Sequence, residues 1–286
     1  MNTAALRTLL IWIATLLIWE AAYRVVGWRP WIFPAPSHVL DATLNLLNFR
    51  THFGEPLHRG WPMTQAAGGL ASQQPRASWN SPLVEAVTVS AIRLACGFSI
   101  SILLGGTIGL LMWRFRWIDD FLGSLFLGLQ TLPSVCWVPL AVILFGLNEI
   151  GILFVLVMGS TFAVALALRD GLRTIPPVYS AAGQMLGARS WKLYRYILLP
   201  AAMPAMAGGL RQGFSFAWRS LLGAELILAV RHHGLGFLLQ TGRDFNDVAQ
   251  VVSVMAVMVG LGILADRYVF ARLEARVYKR FGLAMG

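Results

Sequence analysis

The chain has 286 residues, 57% of them hydrophobic and 13% charged, with a formal net charge of +10 and a mean hydropathy of +0.65. So few polar residues cannot cover a soluble domain of this size, and the composition points to a membrane protein. The positive charge is almost all arginine (the only lysines are Lys192 and Lys279) and gathers at the ends of apolar blocks, which suits membrane anchoring and lacks the continuous, aromatic-interleaved basic face that nucleic acid requires.

The apolar blocks have bilayer-spanning length, about 20 residues, not the short alternating pattern of a β-barrel. They predict an all-α membrane protein with about six transmembrane helices. The first block covers 6–26; its apolar core, 9–19, follows Arg7 and runs into Glu20 and Arg24 without a small-residue cleavage site, so it reads as an uncleaved anchor. Trp28, Pro30, Trp31, Pro34 and Pro36 suit the headgroup zone. Pro36 and Ser37 open a short amphipathic helix to about Leu47, with Ser37 as its expected N-cap. Residues 1–48 thus form an anchor plus amphipathic segment. Residues 49–80 lack periodicity and read as an extramembrane loop.

The main helical unit, 81–286, supplies the other spans. These are 87–113, stopped by Arg114, Phe115 and Arg116; 121–145, with Pro133 and Pro139 inside it; 150–168; 206–230; and 248–270. A polar connection, 169–200, joins the fourth and fifth, and a short loop, 231–246, joins the fifth and sixth. A basic tail, 271–286, closes the chain. Cys96 and Cys136 lie inside apolar blocks and read as small buried hydrophobes. An even number of spans puts both termini on one side. The connections rich in arginine (Arg114, Arg116, Arg169, Arg173, Arg189, Arg195) and the tail share that side, so it is cytoplasmic and the protein is expected in the cytoplasmic (inner) membrane.

The segment 179–200 reads YSAAGQMLGARSWKLYRYILLP. It predicts a short helix, a glycine break and a second amphipathic helix entering the membrane at Pro200. Ala181, Ala182 and Gly183 make a turn with almost no side-chain bulk, which lets another protein's backbone come close. Gly187 suits a helix end with positive φ. An ordinary re-entry loop would read much the same.

This segment resembles the EAA loop of ABC importer permeases: Glu-Ala-Ala, three residues, Gly, nine residues, Ile, one residue, Leu-Pro. Ala181, Ala182 and Gly183 take the first positions, then Gly187, Ile197 and Leu199-Pro200 follow in register. The acidic position is Ala181, which puts one polar contact in doubt. Four further stretches resemble the nitrate/sulfonate/taurine branch: PAPSHVL at 34–40, LPSVCWVPLAVILFGLNE at 132–149, GGLRQGFSFAWRSLLGAEL at 208–226 and GLGFLL at 234–239. The resemblance implies the type I ABC importer permease fold, with a permease core over 81–286 and the coupling helix in 179–200. It further implies ATPase contacts from Ala181, Ala182, Gly183, Gly187, Ala188, Arg189 and Lys192. The implied partners are a second copy of the permease, two ATP-binding subunits and an external substrate-binding protein. The implied cargo is a small anionic or zwitterionic solute such as nitrate, taurine or an alkanesulfonate. This chain has no Gly-Lys-Ser/Thr P-loop, so ATP and Mg would belong to the partner.

The fifth span carries Arg211, Arg219 and Glu225. A charge near the bilayer centre costs roughly 2.5–3.5 kcal/mol on insertion scales, so each must face protein or water. Arg211, Ser215, Trp218, Leu222 and Glu225 recur at helical spacing on one face, with Arg219 to its side. They suit either a translocation path, with Arg219 favouring anions, or structural ion pairs. In the third span Gln130, Thr131 and Ser134 flank Pro133, where a broken helix could present polar groups to a solute. His232 and His233 read as interfacial loop residues. Two other classes are a secondary transporter, for which no inverted repeat is visible, and an intramembrane enzyme. The latter would need a base near Ser160, and the sequence offers none.

Overall fold

A computed structural model of the chain describes residues 3–29, 32–47, 81–188, 191–228 and 233–280. Every regular element among them is helical. In chain order these are α1 (Thr3–Val26), α2 (Pro36–Leu46), α3 (Pro82–Arg114), α4 (Arg116–Thr131), a 3₁₀ turn (Ser134–Trp137), α5 (Val138–Phe145), α6 (Glu149–Arg173), α7 (Pro177–Met185) and α8 (Trp191–Leu193). A π turn (Tyr194–Leu198) leads into α9 (Leu199–Ile227), followed by α10 (Leu235–Asp244), α11 (Val248–Ala265), a second π turn (Asp266–Phe270) and α12 (Ala271–Arg280). The expected loop 49–80 lies outside the described residues, as do Arg189 and His232. The chain packs as two compact units, Met1–Thr88 with Phe237–Val257, and Val89–Gly236 with Met258–Gly286.

In the first unit, α2 starts two residues earlier than an N-cap at Ser37 would set. Pro36 takes the first helical position, where its fixed φ suits a helix and its missing N–H is no loss. The N-cap is therefore Ala35, whose N–H donates to His38 Nδ1 at 3.4 Å. Ser37 instead donates its N–H to Glu20 (3.3 Å), a carboxylate already paired with Arg24 (2.8 Å). These bonds tie α2 to α1. The hydroxyls of Thr43 and Ser253 meet at 2.8 Å, and Gln250 Nε2 donates to the Leu238 carbonyl at 2.9 Å.

The second unit is organised by α6. Over its most apolar window α6 is 61% buried, against 22% for α3. Lipid tails are as apolar as side chains, so helices in a membrane associate by close packing of small residues rather than by the hydrophobic effect. The contacts of α6 obey this rule. A Cβ on Gly209 of α9 would stand 2.2 Å from that of Ala167, and one on Gly105 of α3 would stand 2.7 Å from the Thr161 carbonyl oxygen. Val138 and Ala141 of α5, Ile152, Val155 and Leu156 of α6, and Ala217, Leu221 and Ala224 of α9 form one fully packed core. Truncating a large member such as Leu221 to alanine typically costs ~2–5 kcal/mol.

The third expected span is not one helix. α4 ends at Thr131, and the chain bends by 104° before continuing through Ser134–Phe145. Pro133 has no N–H to donate and would clash with the preceding turn, so the helix breaks there. On length and composition three helices among the described residues can cross a membrane (Pro82–Arg114, Glu149–Arg173 and Val248–Lys279), or four with the bent pair, against about six expected for the whole chain. Glycine, alanine, Pro204 and Arg211 dilute the hydropathy of α9. The tail through Arg280 is helical and continues the last span. Cys96 and Cys136 are exposed rather than buried, because helical phase turns both away from the core.

Candidate functional site

The break at Pro133 opens a cavity of about 290 Å³ in the second unit. One wall is the broken segment, with Gln130, Thr131, Ser134 and Trp137. The other walls are Met158, Gly159 and Phe162 of α6, and Phe216, Arg219 and Ser220 of α9. Arg219 is the one charged residue in this lining. Its Nε donates to the Ser215 carbonyl (3.1 Å), and its guanidinium lies 4.8 Å from the Phe216 ring centre. No carboxylate pairs with it among the described residues.

The structure thus brings together Gln130, Thr131, Ser134 and Arg219. The other path candidates lie elsewhere. Arg211 pairs with Asp266 (Nη2 to Oδ2, 2.6 Å) and Glu274 (3.2 Å), binding α9 to the second π turn and α12. Ser215 donates to the Arg211 carbonyl at 3.2 Å. Trp218 packs beside Gly262. Glu225 is 3% exposed and accepts from Ser90 Oγ (2.8 and 2.9 Å), Arg93 Nη1 (2.8 Å) and the Gly236 N–H (3.1 Å). On the face read for Arg211, Ser215, Trp218, Leu222 and Glu225, three members meet different neighbours: Asp266 and Glu274 for Arg211, Gly262 for Trp218, and Ser90, Arg93 and Gly236 for Glu225.

Arg93 escaped the sequence reading. It is 6% exposed and clamps Glu149 with two bonds of 2.7 Å while also holding Glu225. One cation and two carboxylates thereby join α3, the first turn of α6 and the end of α9. A lone arginine inside an apolar span was the available signal. The GLGFLL stretch gains a physical reason here: a Cβ on Gly234 would stand 2.2 Å from Glu225 Oε1, and one on Gly236 2.5 Å from Glu225 Cβ. Only glycine lets this backbone lie on the carboxylate. At the far end of α6, Asp119 is held between Arg169 (3.2 Å) and Arg173 (2.6 Å).

In the 179–200 segment, α7 begins with Pro177 and ends at Met185. Gly187 has φ 83°, and the following N–H of Ala188 returns to the Gly183 carbonyl at 2.9 Å, a glycine-terminated helix end. Ala181 and Ala182 face outward. Gly183 does not: it is buried, and a Cβ there would stand 2.3 Å from Ile197 Cδ1 and 2.7 Å from Leu193 Cδ1. Its bareness lets α7 fold back on its own chain, so its small size serves an internal contact and not an outward one. Lys192 is exposed, and Met185 and Leu186 at the tip are 90% and 86% exposed. Tyr194 packs near Trp113, and burial pushes its phenol above the ordinary range.

Ser160 donates to Ser101 Oγ at 2.7 Å, and Ser101 donates to the Gly97 carbonyl at 2.9 Å. Among the described residues no cluster of three or more His, Cys, Asp or Glu side chains could hold a metal ion. His233 is exposed.

The described residues of the second unit thus form an all-helical body with a cavity at a broken helix. A chain of the MetNI methionine ABC transporter, solved in inward-facing conformations, superposes with a TM-score of 0.57 at 18% identity, covering 68% of this chain and 95% of that one. Residues 97–279 match the family of binding-protein-dependent transport system inner membrane components, and the chain belongs to that family. It is 28% identical over 180 residues to the bicarbonate transport system permease protein CmpB of Synechococcus elongatus, covering 63% of this chain and 64% of that protein. It is 26% identical over 191 residues to the nitrate import permease protein NrtB of Synechocystis sp., covering 67% and 68%. The match to CmpB spans just under two thirds of that relative's length.

Proposed function

We propose that this chain is the membrane-spanning subunit of an ATP-driven importer for a small oxyanion, and that the Pro133 cavity forms part of the translocation path. The observation that carries this reading is Arg219: an exposed guanidinium on the cavity wall, without a carboxylate among the described residues. A fixed positive charge in a water-accessible cleft of low-dielectric walls attracts anions and opposes cations. The bicarbonate and nitrate permeases among the relatives support an anionic cargo.

Energy comes from a separate ATPase in this reading, since the chain lacks a P-loop. The exposed turn at Ala181 and Ala182, the apolar tip at Met185 and Leu186, and the exposed Lys192 form the docking surface. An apolar tip this open marks a contact with another protein. One such segment per chain fits a permease homodimer with two ATP-binding subunits and an external binding protein. The arginine distribution puts this segment and both termini on the cytoplasmic side of the inner membrane.

The test is uptake by the complete complex in proteoliposomes, with nitrate, bicarbonate and methanesulfonate as probes. ATP-dependent uptake of at least one is expected, and Arg219→Gln should cut it by about tenfold or more (~1.4 kcal/mol) without loss of assembly. Uptake that is unaltered in the variant, or a complex that falls apart, removes Arg219 from the path.

A further inference from the structure

Ser220 adjoins Arg219 on the cavity wall and is 1% exposed, yet its Oγ has no hydrogen-bond partner among the described residues. The hydroxyl rests against the bare backbone of Gly159, where a Cβ would stand 1.9 Å away. Leaving a buried hydroxyl unbonded is costly, and replacing it by an apolar group would remove that cost. An unpartnered hydroxyl beside the sole charged lining residue points to a bond with what enters the cavity. Its rotation about the Cα–Cβ bond is the single freedom needed, since a serine hydroxyl has three staggered positions.

Resting on the anion reading above, we propose that Ser220 is a substrate-selecting donor: its hydroxyl turns from Gly159 into the cavity and donates to an oxygen of the oxyanion that Arg219 attracts. The contact adds directional recognition of an acceptor oxygen to the undirected pull of the arginine. Discrimination is strong where a site leaves its own polar groups unpaired without the correct ligand.

The chain carries its own control. Thr161 Oγ1 is likewise buried (residue 5% exposed) and unpartnered among the described residues, but Thr161 is not part of the cavity lining. Ser220→Ala and Thr161→Val are compared in the reconstituted complex, reading the KM and maximal rate of nitrate, bicarbonate and methanesulfonate uptake, and the melting temperature of the purified complex. Both variants are expected to melt at or above the parent temperature, since each removes an unbonded hydroxyl. Only Ser220→Ala is expected to raise KM, by about fivefold to tenfold, at an unchanged maximal rate. A parental KM in Ser220→Ala, a lower melting temperature for that variant, or an equal KM rise in Thr161→Val overturns the assignment. A parent complex that transports none of the three anions overturns the anion reading and this inference together, whereas a transporting parent with an unresponsive Ser220→Ala sinks only the latter.

Discussion

Two stations on α9 treat polar groups in opposite ways. At Glu225 the protein supplies every partner itself: a serine hydroxyl, a guanidinium and a backbone N–H converge on one carboxylate that is 1% exposed. Six residues earlier, about 9 Å along the helix axis, Arg219 has among the described residues only a carbonyl of its own helix and an aromatic face, and Ser220 has no partner among them. Both stations lie in a span where a charge is expensive. Under the proposed function the difference separates a charge kept for architecture from one kept for a solute, because a charge already neutralised inside the fold has no attraction left to offer.

Removing Glu225 should have the largest effect. Glu225→Ala takes one of its carboxylate partners from Arg93, and leaves Ser90 Oγ and the Gly236 N–H without this acceptor. Breaking a buried pair from one side costs on the order of 3–5 kcal/mol, so the variant should unfold at markedly lower temperature or fail to assemble. A Glu225→Ala complex as stable as the parent would erase the distinction between the two stations.

Gly236→Ala sharpens the same point more gently. Its Cβ would stand 2.5 Å from Glu225 Cβ and 2.7 Å from the neighbouring backbone nitrogen of Leu226, and overpacking of this kind costs ~1–3 kcal/mol. A melting curve of the purified complex measures it, and no shift would mean that the glycine loop does not lie against Glu225.

The smallest effect belongs to Arg211, which is paired yet open. Its side chain is 43% exposed and meets carboxylates 40% and 27% exposed, and solvent-accessible pairs contribute about 0–1 kcal/mol. Arg211→Gln should therefore shift stability by less than ~1 kcal/mol and leave anion uptake as in the parent. A loss of uptake at normal stability would return Arg211 to the translocation path and break the rule that a paired charge is not a transport charge.

The sequence made some of this legible and hid the rest. The apolar blocks, the proline break and the spacing of the 179–200 segment are local properties, carried by neighbours along the chain, and each has its counterpart in the helices. Gln130, Thr131, Ser134 and Arg219 were legible for the same reason, since polar residues in an apolar block stand out. Arg93 hid because a single charge in a long apolar run was read as part of the run. Ser37 misled because Pro36 had already claimed the helix start, and Gly183 misled because its smallness serves Ile197 and Leu193 of its own chain.

By itself, then, the sequence determined that this protein is helical, lies in a membrane and carries the register of a permease coupling segment, because hydropathy, helix period and motif spacing need no knowledge of what touches what. Which charges are spent and which stay open was decided by tertiary structure alone. Glu225 and Arg219 look alike in the chain, each an ionised side chain in the same span. What separates them is a charged partner 132 residues away for Glu225 and no carboxylate among the described residues for Arg219, and electrostatic satisfaction depends on distances in space that no local pattern encodes.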